Sequence, residues 1–405
     1  MWADSIHNRE RGTPRKGRVR GGGAGPGEPR RAPALAAPAA GATWRYGARS
    51  RYGRVLTPCV SQINLLLHTK TLSTYGDNVS AVGEPRTLAD RPDDVRRTAE
   101  SLAKGMDRAV LAFPLTPFDA DGDLDLGALR AYLDHQLAAE PGAVFAACGT
   151  GEFFSLAPAD YEAVVRTTVE HVAGRAPVVA GAGYGSRLAA EYARTAERAG
   201  ADAVLLLPPY LVRGPQDGLV AHTRAVAAAT RLPVIAYQRD QVAFTPESLR
   251  ALAAVPNVIG LKDGHGDLDR MQRLVRAVPE DFLFFNGVPT AELQARAYSA
   301  TGIPAYSSAV HAFAPEIATA FFRAHASGDT AAVDRLLDGF YIPWVRLRDQ
   351  GTGYAVALVK AAARMRADVI GADVGPVRAP LAEPAPDHLA EAERLLAAGL
   401  DLAAR

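Results

Sequence analysis

Residues 233–262, PVIAYQRDQVAFTPESLRALAAVPNVIGLK, show the pattern that decides the fold of this chain. Two short apolar runs, PVIAY (233–237) and VIGLK (258–262), enclose a stretch with helical character. This order is typical of a β–α–β unit in a parallel sheet. Because the runs are almost continuously apolar, we expect both faces of the strands to be covered.

The same unit repeats at spacings of about 30 residues from about residue 93 onward. The predicted strands are AVLAFP (109–114), AVFAAC (143–148), PVVAG (177–181), AVLLL (203–207), PVIAY (233–237), VIGLK (258–262), FLFFN (282–286) and PAYS (304–307). Eight strand–helix units in about 215 residues favour a closed (β/α)8 TIM barrel over an open doubly wound sheet. The sequence therefore predicts an α/β barrel over residues 93–325, followed by a C-terminal helical extension over residues 326–405.

Residues 1–92 differ from the rest of the chain in composition and charge. They contain about 15 Lys and Arg against about 6 Asp and Glu, in stretches such as GGGAGPGEPRRAPALAAPAA. Such a segment buries too little apolar surface to offset the entropy of ordering, so we predict a disordered basic extension. A nucleic-acid-binding arm is the less favoured interpretation, because aromatic residues are few and scattered.

The composition of the whole chain excludes several classes of protein. The formal net charge of +1 over 405 residues gives no global electrostatic case for a nucleic-acid or membrane-surface protein. No apolar run approaches the roughly 18 residues of a transmembrane helix. Two cysteines, Cys59 and Cys148, cannot form a disulfide framework, so we expect a cytoplasmic protein. Neither an HExxH nor a G-x-S-x-G motif is present, so no metal and no serine nucleophile is predicted.

Lys262 is the first candidate for chemistry, because it ends the sixth predicted strand and TIM-barrel active sites lie at the carboxyl ends of strands. The chain has only five lysines and otherwise uses arginine. A desolvated lysine, unlike an arginine, can lose its proton near neutral pH and form a Schiff base with a carbonyl. The other interpretation is an ion pair between Lys262 and Asp263 at the barrel rim, and the sequence does not decide between the two.

Two further strand ends and one helical lysine also have two interpretations each. Tyr237 ends the preceding strand beside Lys262, either as a proton shuttle or as an aromatic plug in the barrel mouth. The Gly-Thr-Gly turn at residues 149–151 either binds an anion such as a carboxylate through its backbone amides or is a plain turn. Lys360 lies within GYAVALVKAAARM, where a snorkelling or packed helical lysine is the favoured interpretation.

Five segments in order resemble the dihydrodipicolinate synthase/N-acetylneuraminate lyase superfamily. They are FAACGTGEFFSL (145–156), LLPPYL (206–211), VIAYQRD (234–240), IGLKDGHGD (259–267) and AYSSAV (305–310). Within that superfamily, the CGTGEFFSL turn and the segments GYAVALVKAAAR and GPVRAPL resemble the 5-dehydro-4-deoxyglucarate dehydratase branch. The resemblance covers about residues 93–405. It implies a homo-oligomeric barrel, a tetramer or dimer, that acts on a small keto sugar acid without metal or organic cofactor.

The resemblance also implies roles for individual residues. Lys262 falls on the Schiff-base lysine, Tyr237 on the proton-shuttling tyrosine, and Thr150 on the turn that holds the keto-acid carboxylate. The other implied substrate-binding residues are Gly149, Gly151, Glu152, Tyr210, Arg239, Gly287, Ser307 and Ser308. Arg239 is the candidate for the distal carboxylate, because a guanidinium can bind it with two hydrogen bonds.

The implied reaction is dehydration and decarboxylation of 5-dehydro-4-deoxyglucarate to 2,5-dioxopentanoate. The alternatives are a 2-keto-acid aldolase or synthase of the same superfamily and a catalytically silent sugar-acid-binding barrel.

The chain departs from the family pattern at three positions. Gln238 and Ala312 stand where asparagine is usual, and Leu211 stands where synthases often have a second tyrosine.

Overall fold

The computed structural model describes residues 83–405. The disorder predicted for residues 1–82 lies outside the described residues. Residues 83–92, which belong to the predicted extension, make specific contacts with the barrel: the buried guanidinium of Arg91 donates hydrogen bonds to the carbonyl oxygens of Val255 and Pro256. None of the helices in the described part is long and apolar enough to span a membrane.

Eight parallel strands form the centre of the fold, as the sequence predicted. They are β1 Leu111–Ala112, β2 Ala143–Ala146, β3 Val178–Ala182, β4 Ala203–Leu206, β5 Val234–Gln238, β6 Val258–Asp263, β7 Leu283–Asn286 and β8 Ser307–Ser308. Their order is β7-β6-β5-β4-β3-β2-β1-β8. A parallel bridge between Asn286 and Tyr306 joins the two ends of this order, so the sheet closes into a barrel.

Fourteen α-helices accompany the strands in residues 83–405. They are α1 Asp93–Arg108, α2 Leu126–Leu137, α3 Pro158–Val172, α4 Ser186–Arg198, α5 Gln216–Ala227, α6 Pro246–Ala253, α7 Leu268–Val275, α8 Ala295–Ala300, α9 Pro315–Ser327, α10 Thr330–Leu336, α11 Ile342–Arg348, α12 Tyr354–Arg364, α13 Ala367–Ile370 and α14 Pro386–Ala403. Helices α2 to α9 each follow one strand, which gives the alternation of a (β/α)8 barrel.

Helix α1 precedes the first strand and closes the amino-terminal end of the barrel. Its buried side chains Val95, Ala99, Leu102 and Met106 recur at helical spacing and belong to one apolar cluster with the inward-facing strand residues. This interior is filled with side chains, so open space remains only toward the carboxyl ends of the strands.

The C-terminal helices share a second buried cluster with the outer face of the barrel. Val333 of α10, Trp344 of α11, Leu358 of α12 and Leu395 of α14 all belong to it. The boundary predicted between residues 325 and 326 lies within α9, and the division into a barrel domain and a C-terminal part stays a prediction.

Candidate active site

Lys262 and Tyr237 are neighbours at the carboxyl ends of β6 and β5. Their Cα atoms are partners in the strand register, and both side chains face the barrel interior. An irregularity between Val234 and Ile235 of β5 leaves one extra residue, Ile259, on β6. In a regular strand Lys262 would share the face of the outward-facing Val258, because side chains alternate with a period of two. The bulge shifts this alternation by one residue and turns the lysine inward.

The ammonium of Lys262 lies among aromatic rings, away from carboxylates. Its Nζ is 3.8 Å from the centroid of the Phe113 ring and 4.6 Å from that of Tyr237. Burial disfavours the charged form and lowers the pKa of the Lys262 amine to about 7. In a large fraction of the molecules, Lys262 is therefore a neutral amine at physiological pH, and this is the form that attacks a carbonyl.

The alternative ion pair between Lys262 and Asp263 is absent. Asp263 faces the opposite side of β6, where its carboxylate accepts hydrogen bonds from Gln238 Nε2 at 2.7 Å and from the Tyr298 hydroxyl. Gln238, one of the three departures from the family pattern, thus supports the strand from behind and does not line the cavity.

Gly287 and Tyr237 shape the space around the lysine. The hydroxyl of Tyr237 donates to the carbonyl oxygen of Gly287 at 3.4 Å, and burial raises the pKa of this phenol. A Cβ atom on Gly287 would lie 2.1 Å from Cε of Lys262. The lysine can occupy its position only because residue 287 has no side chain.

A cavity of about 330 Å³ opens above the lysine. Eight of the residues singled out in the sequence line it: Gly149, Thr150, Tyr237, Arg239, Lys262, Gly287, Ser307 and Ser308. The fold thus brings together residues that are up to 159 positions apart in the sequence, since every one of them follows or ends a strand of the same barrel.

Three of the implied substrate-binding residues, Gly151, Glu152 and Tyr210, do not line this cavity. Direct contact between Glu152 and a substrate does not fit the geometry. One carboxylate oxygen of Glu152 forms a buried ion pair with Lys360 Nζ at 2.8 Å, and the other accepts the backbone N–H of Arg378 at 2.9 Å. Glu152 has a left-handed backbone (φ 55°), and its side chain contacts Lys360 of α12. Lys360 is thus a packed helical lysine, as favoured from the sequence.

Gly151 and Tyr210 make their contacts outside the cavity lining. The carbonyl oxygen of Gly151 accepts the hydroxyl of Thr116, so this residue anchors the turn. Tyr210 is 65% exposed and packs edge-on against the ring of Tyr184. Of the two other departures, Ala312 is buried and its carbonyl oxygen accepts the hydroxyl of Tyr132, whereas Leu211 is exposed.

Two elements contribute cavity residues that were not predicted from the sequence: α11, and the part of the loop after β7 that lies beyond Gly287. Trp344, Arg348 and Thr290 line the cavity together with the predicted residues. No local signal in the segment WVRLRD marks Arg348, because the chain uses arginine throughout. Only the packing of α11 across the mouth of the barrel places this residue there.

The electrostatics of the cavity are one-sided. Lys262, Arg239 and Arg348 line it, and its lining within the described part of the chain includes no Asp or Glu. Such a cavity attracts anions, because positively charged side chains in a cleft with low-dielectric walls concentrate the electric field there. In residues 83–405 no group of three His, Cys, Asp or Glu side chains is arranged to hold a metal ion.

Lys262 is thus a buried lysine with a lowered pKa at the end of a barrel strand, and it lies beside a tyrosine. Among the described residues, the cavity above it has no acidic side chain in its lining. This is the arrangement of a Schiff-base-forming barrel enzyme. The dihydrodipicolinate synthetase family model matches residues 106–399. The chain belongs to this family, which confirms the resemblance noted in the sequence.

Curated relatives carry a more specific name than the family model does. A probable 5-dehydro-4-deoxyglucarate dehydratase 2 of Streptomyces coelicolor is 62% identical over 301 residues, covering 74% of this chain and 92% of the relative. A probable 5-dehydro-4-deoxyglucarate dehydratase of Leptothrix cholodnii is 44% identical over 302 residues, covering 74% and 97%. Among solved structures, dihydrodipicolinate synthase from Bacillus clausii aligns with a TM-score of 0.66 at 29% identity, covering 73% of this chain and 98% of that one.

Proposed function

We propose that this protein is a lyase that converts 5-dehydro-4-deoxyglucarate to 2,5-dioxopentanoate, CO2 and water through a Schiff base on Lys262. The observation that carries the proposal is the buried Lys262 amine, with its pKa lowered to about 7, at the base of an acid-free cavity. The names of the curated relatives supply the substrate.

The proposed reaction begins when the neutral amine of Lys262 attacks the C5 ketone and water leaves, which forms an iminium. The iminium acidifies C4, and loss of a C4 proton gives an enamine that expels the C3 hydroxyl as water. The conjugated iminium then accepts the electron pair released when the C1 carboxylate leaves as CO2. The resulting enol becomes an aldehyde on protonation at C3, C4 is protonated, and water hydrolyses the Schiff base to release 2,5-dioxopentanoate.

The residues around Lys262 have matching roles in this proposal. Tyr237 transfers protons at the carbinolamine and at C4, since its ring lies against the lysine amine. The backbone amides at Gly149 and Thr150 bind the carboxylate next to the ketone. Two arginines of the cavity, Arg239 and Arg348, are the candidates for the second carboxylate. Gly287 leaves room for the lysine, and Ser307 and Ser308 bind substrate hydroxyl groups.

Borohydride trapping tests the function. Incubation with 5-dehydro-4-deoxyglucarate and borohydride is expected to leave a reduced adduct on the peptide containing Lys262, and the unreduced mixture should contain CO2 and 2,5-dioxopentanoate. The variant Lys262→Ala should give neither the adduct nor the products. Turnover by that variant would overturn the mechanism, and an adduct accompanied by carbon–carbon cleavage would indicate an aldolase.

We further propose that the protein assembles as a homodimer or homotetramer. Five large apolar side chains near the ends of β2, β3 and β4 are exposed: Phe154, Leu188, Tyr210, Leu211 and Val212. Exposed apolar side chains that cluster on one surface are typical of interfaces. A cytoplasmic, reducing location is also proposed, because two cysteines in 405 residues cannot form a disulfide framework.

A further inference from the structure

Arg348 is a cation of the cavity that comes from outside the barrel strands and their loops. It ends α11, one helical turn after Trp344, and both side chains line the cavity. Trp344 stacks on Phe313 and Phe340, with ring centroids 4.8 Å and 5.7 Å away. This packing holds the face of α11 against the barrel, so the guanidinium is carried by a rigid element.

A second contact orients the guanidinium. Nη1 of Arg348 donates a hydrogen bond to Oγ1 of Thr290 at 2.8 Å. Thr290 also lines the cavity, and its backbone is left-handed (φ 55°), a region that β-branched residues rarely adopt. Backbone strain of this kind concentrates at functional sites. On its outer side, Nε of Arg348 donates to Oδ1 of the exposed Asp349 at 2.8 Å, and Nη2 lies 2.8 Å from the same oxygen.

Arg348 retains binding capacity after these contacts. A guanidinium has five N–H donors, and within residues 83–405 its side-chain hydrogen bonds go to Thr290 and Asp349 alone. Each Nη carries two N–H groups, and Thr290 takes one on Nη1 while Asp349 faces one on Nη2. One N–H on Nη1 and one on Nη2 therefore remain for a ligand, and together they match the two oxygens of a carboxylate. Both cavity arginines have an exposed aspartate beside them, Asp349 at 2.8 Å from Arg348 and Asp240 at 3.4 Å from Arg239. They differ in exposure, since the side chain of Arg348 is 17% exposed and that of Arg239 is 42% exposed.

We propose that Arg348 binds the substrate carboxylate remote from the ketone and thereby makes the site selective for dicarboxylic 2-keto acids. This inference rests on the proposed function, in which Lys262 binds the ketone carbon and the turn at residues 149–151 binds the adjacent carboxylate. A substrate anchored at those two points leaves its other end unpaired, and Arg348 is the more enclosed of the two guanidinium groups available to it.

Two keto acids of equal chain length test the proposal. The dicarboxylate 2-oxoadipate and the monocarboxylate 2-oxohexanoate both offer a ketone to Lys262 but differ in the remote carboxylate. The efficiency of borohydride trapping is measured for each acid with the wild type and with Arg348→Gln. We expect the variant to lose about 10- to 100-fold with 2-oxoadipate, the value of one charge-assisted contact, and to keep its efficiency with 2-oxohexanoate within about twofold.

Further variants separate this role from a structural one. Arg348→Lys should recover only part of the loss, because an ammonium cannot reproduce the paired hydrogen bonds. Arg346→Gln, an exposed arginine on the same helix, should behave as the wild type for both acids. An equal loss for both acids, or a selective loss in Arg239→Gln with none in Arg348→Gln, would overturn the inference. Failure of the wild type to trap 5-dehydro-4-deoxyglucarate as well as 2-oxoadipate would instead contradict the proposed function.

Discussion

Gly287 shows how one missing side chain supports the chemistry. An alanine Cβ at this position would lie 2.1 Å from Cε and 2.6 Å from Cγ of Lys262, so the lysine must move. We expect Gly287→Ala to reduce kcat/KM by about 100-fold, the typical effect of misplacing a reacting group by about an ångström. Gly185→Ala is the matched control, because its Cβ meets nothing within 4 Å. A fully active Gly287→Ala enzyme would contradict this role.

The protonation of Lys262 predicts a pH dependence. Only the neutral amine attacks, so the rate of borohydride trapping should rise with pH and level off above a pKa of about 7.

The same lowered pKa of Lys262 also makes the free energy of unfolding depend on pH. The unfolded lysine keeps its proton up to its ordinary pKa of 10.5, whereas the folded one loses it near 7. Stability should therefore rise with pH between these values, and Lys262→Met should abolish that rise in urea unfolding. An unchanged slope in the variant would show that other groups cause it.

At the scale of elements, a buried ion pair joins α12 to the turns that follow β1 and β2. Lys360 Nζ lies 2.8 Å from Glu152 Oε1 and 2.8 Å from the carbonyl oxygen of Thr116. Lys360→Met leaves the Glu152 carboxylate buried without its cation, and we expect a loss of about 3–5 kcal/mol in the free energy of unfolding. Urea denaturation of this variant measures the loss.

The double variant Lys360→Met/Glu152→Gln is the control for that loss. A neutral amide at residue 152 can still accept the backbone N–H of Arg378 and no longer needs a cation. The double variant should therefore be more stable than Lys360→Met alone. Equal stabilities would show that the destabilisation comes from lost packing of the lysine.

At the scale of the whole molecule, the active-site cavity is built from two parts of the described chain. The barrel supplies Lys262, Tyr237 and the strand-end loops, and the C-terminal helices supply Trp344 and Arg348. In the function and the inference proposed above, the chemistry therefore belongs to the barrel and the selectivity to the C-terminal helices.

The proposed assembly predicts that a charge placed on the exposed apolar surface separates the subunits. Leu211 is 72% exposed within the apolar surface defined above, and Leu211→Asp should shift the protein to a smaller species in sedimentation velocity. Val369, 61% exposed on α13, is the matched control, and Val369→Asp should sediment as the wild type does. A monomeric wild type, or an unchanged Leu211→Asp variant, would exclude this surface as the interface.

The sequence alone determined the architecture and marked Lys262 as a candidate reactive group, without deciding between a Schiff base and an ion pair. Strand–helix repetition is a local pattern set by the burial of each segment, so all eight strands could be placed before the structure was known. Lys262 could be singled out because a lysine at a strand end is unusual in an arginine-rich chain. The neighbouring Tyr237 followed from its place at the end of the adjacent strand.

Only the tertiary structure decided where side chains point. A one-residue bulge in β6 turns Lys262 inward, and it depends on pairing with β5, which a single strand does not encode. The side chain of Glu152 lies outside the cavity because it pairs with Lys360, which is 208 positions further along the chain. Arg348 enters the cavity because α11 packs across the barrel mouth. Each of these outcomes depends on a contact between segments far apart in sequence, whereas periodicity and composition report only on neighbours along the chain.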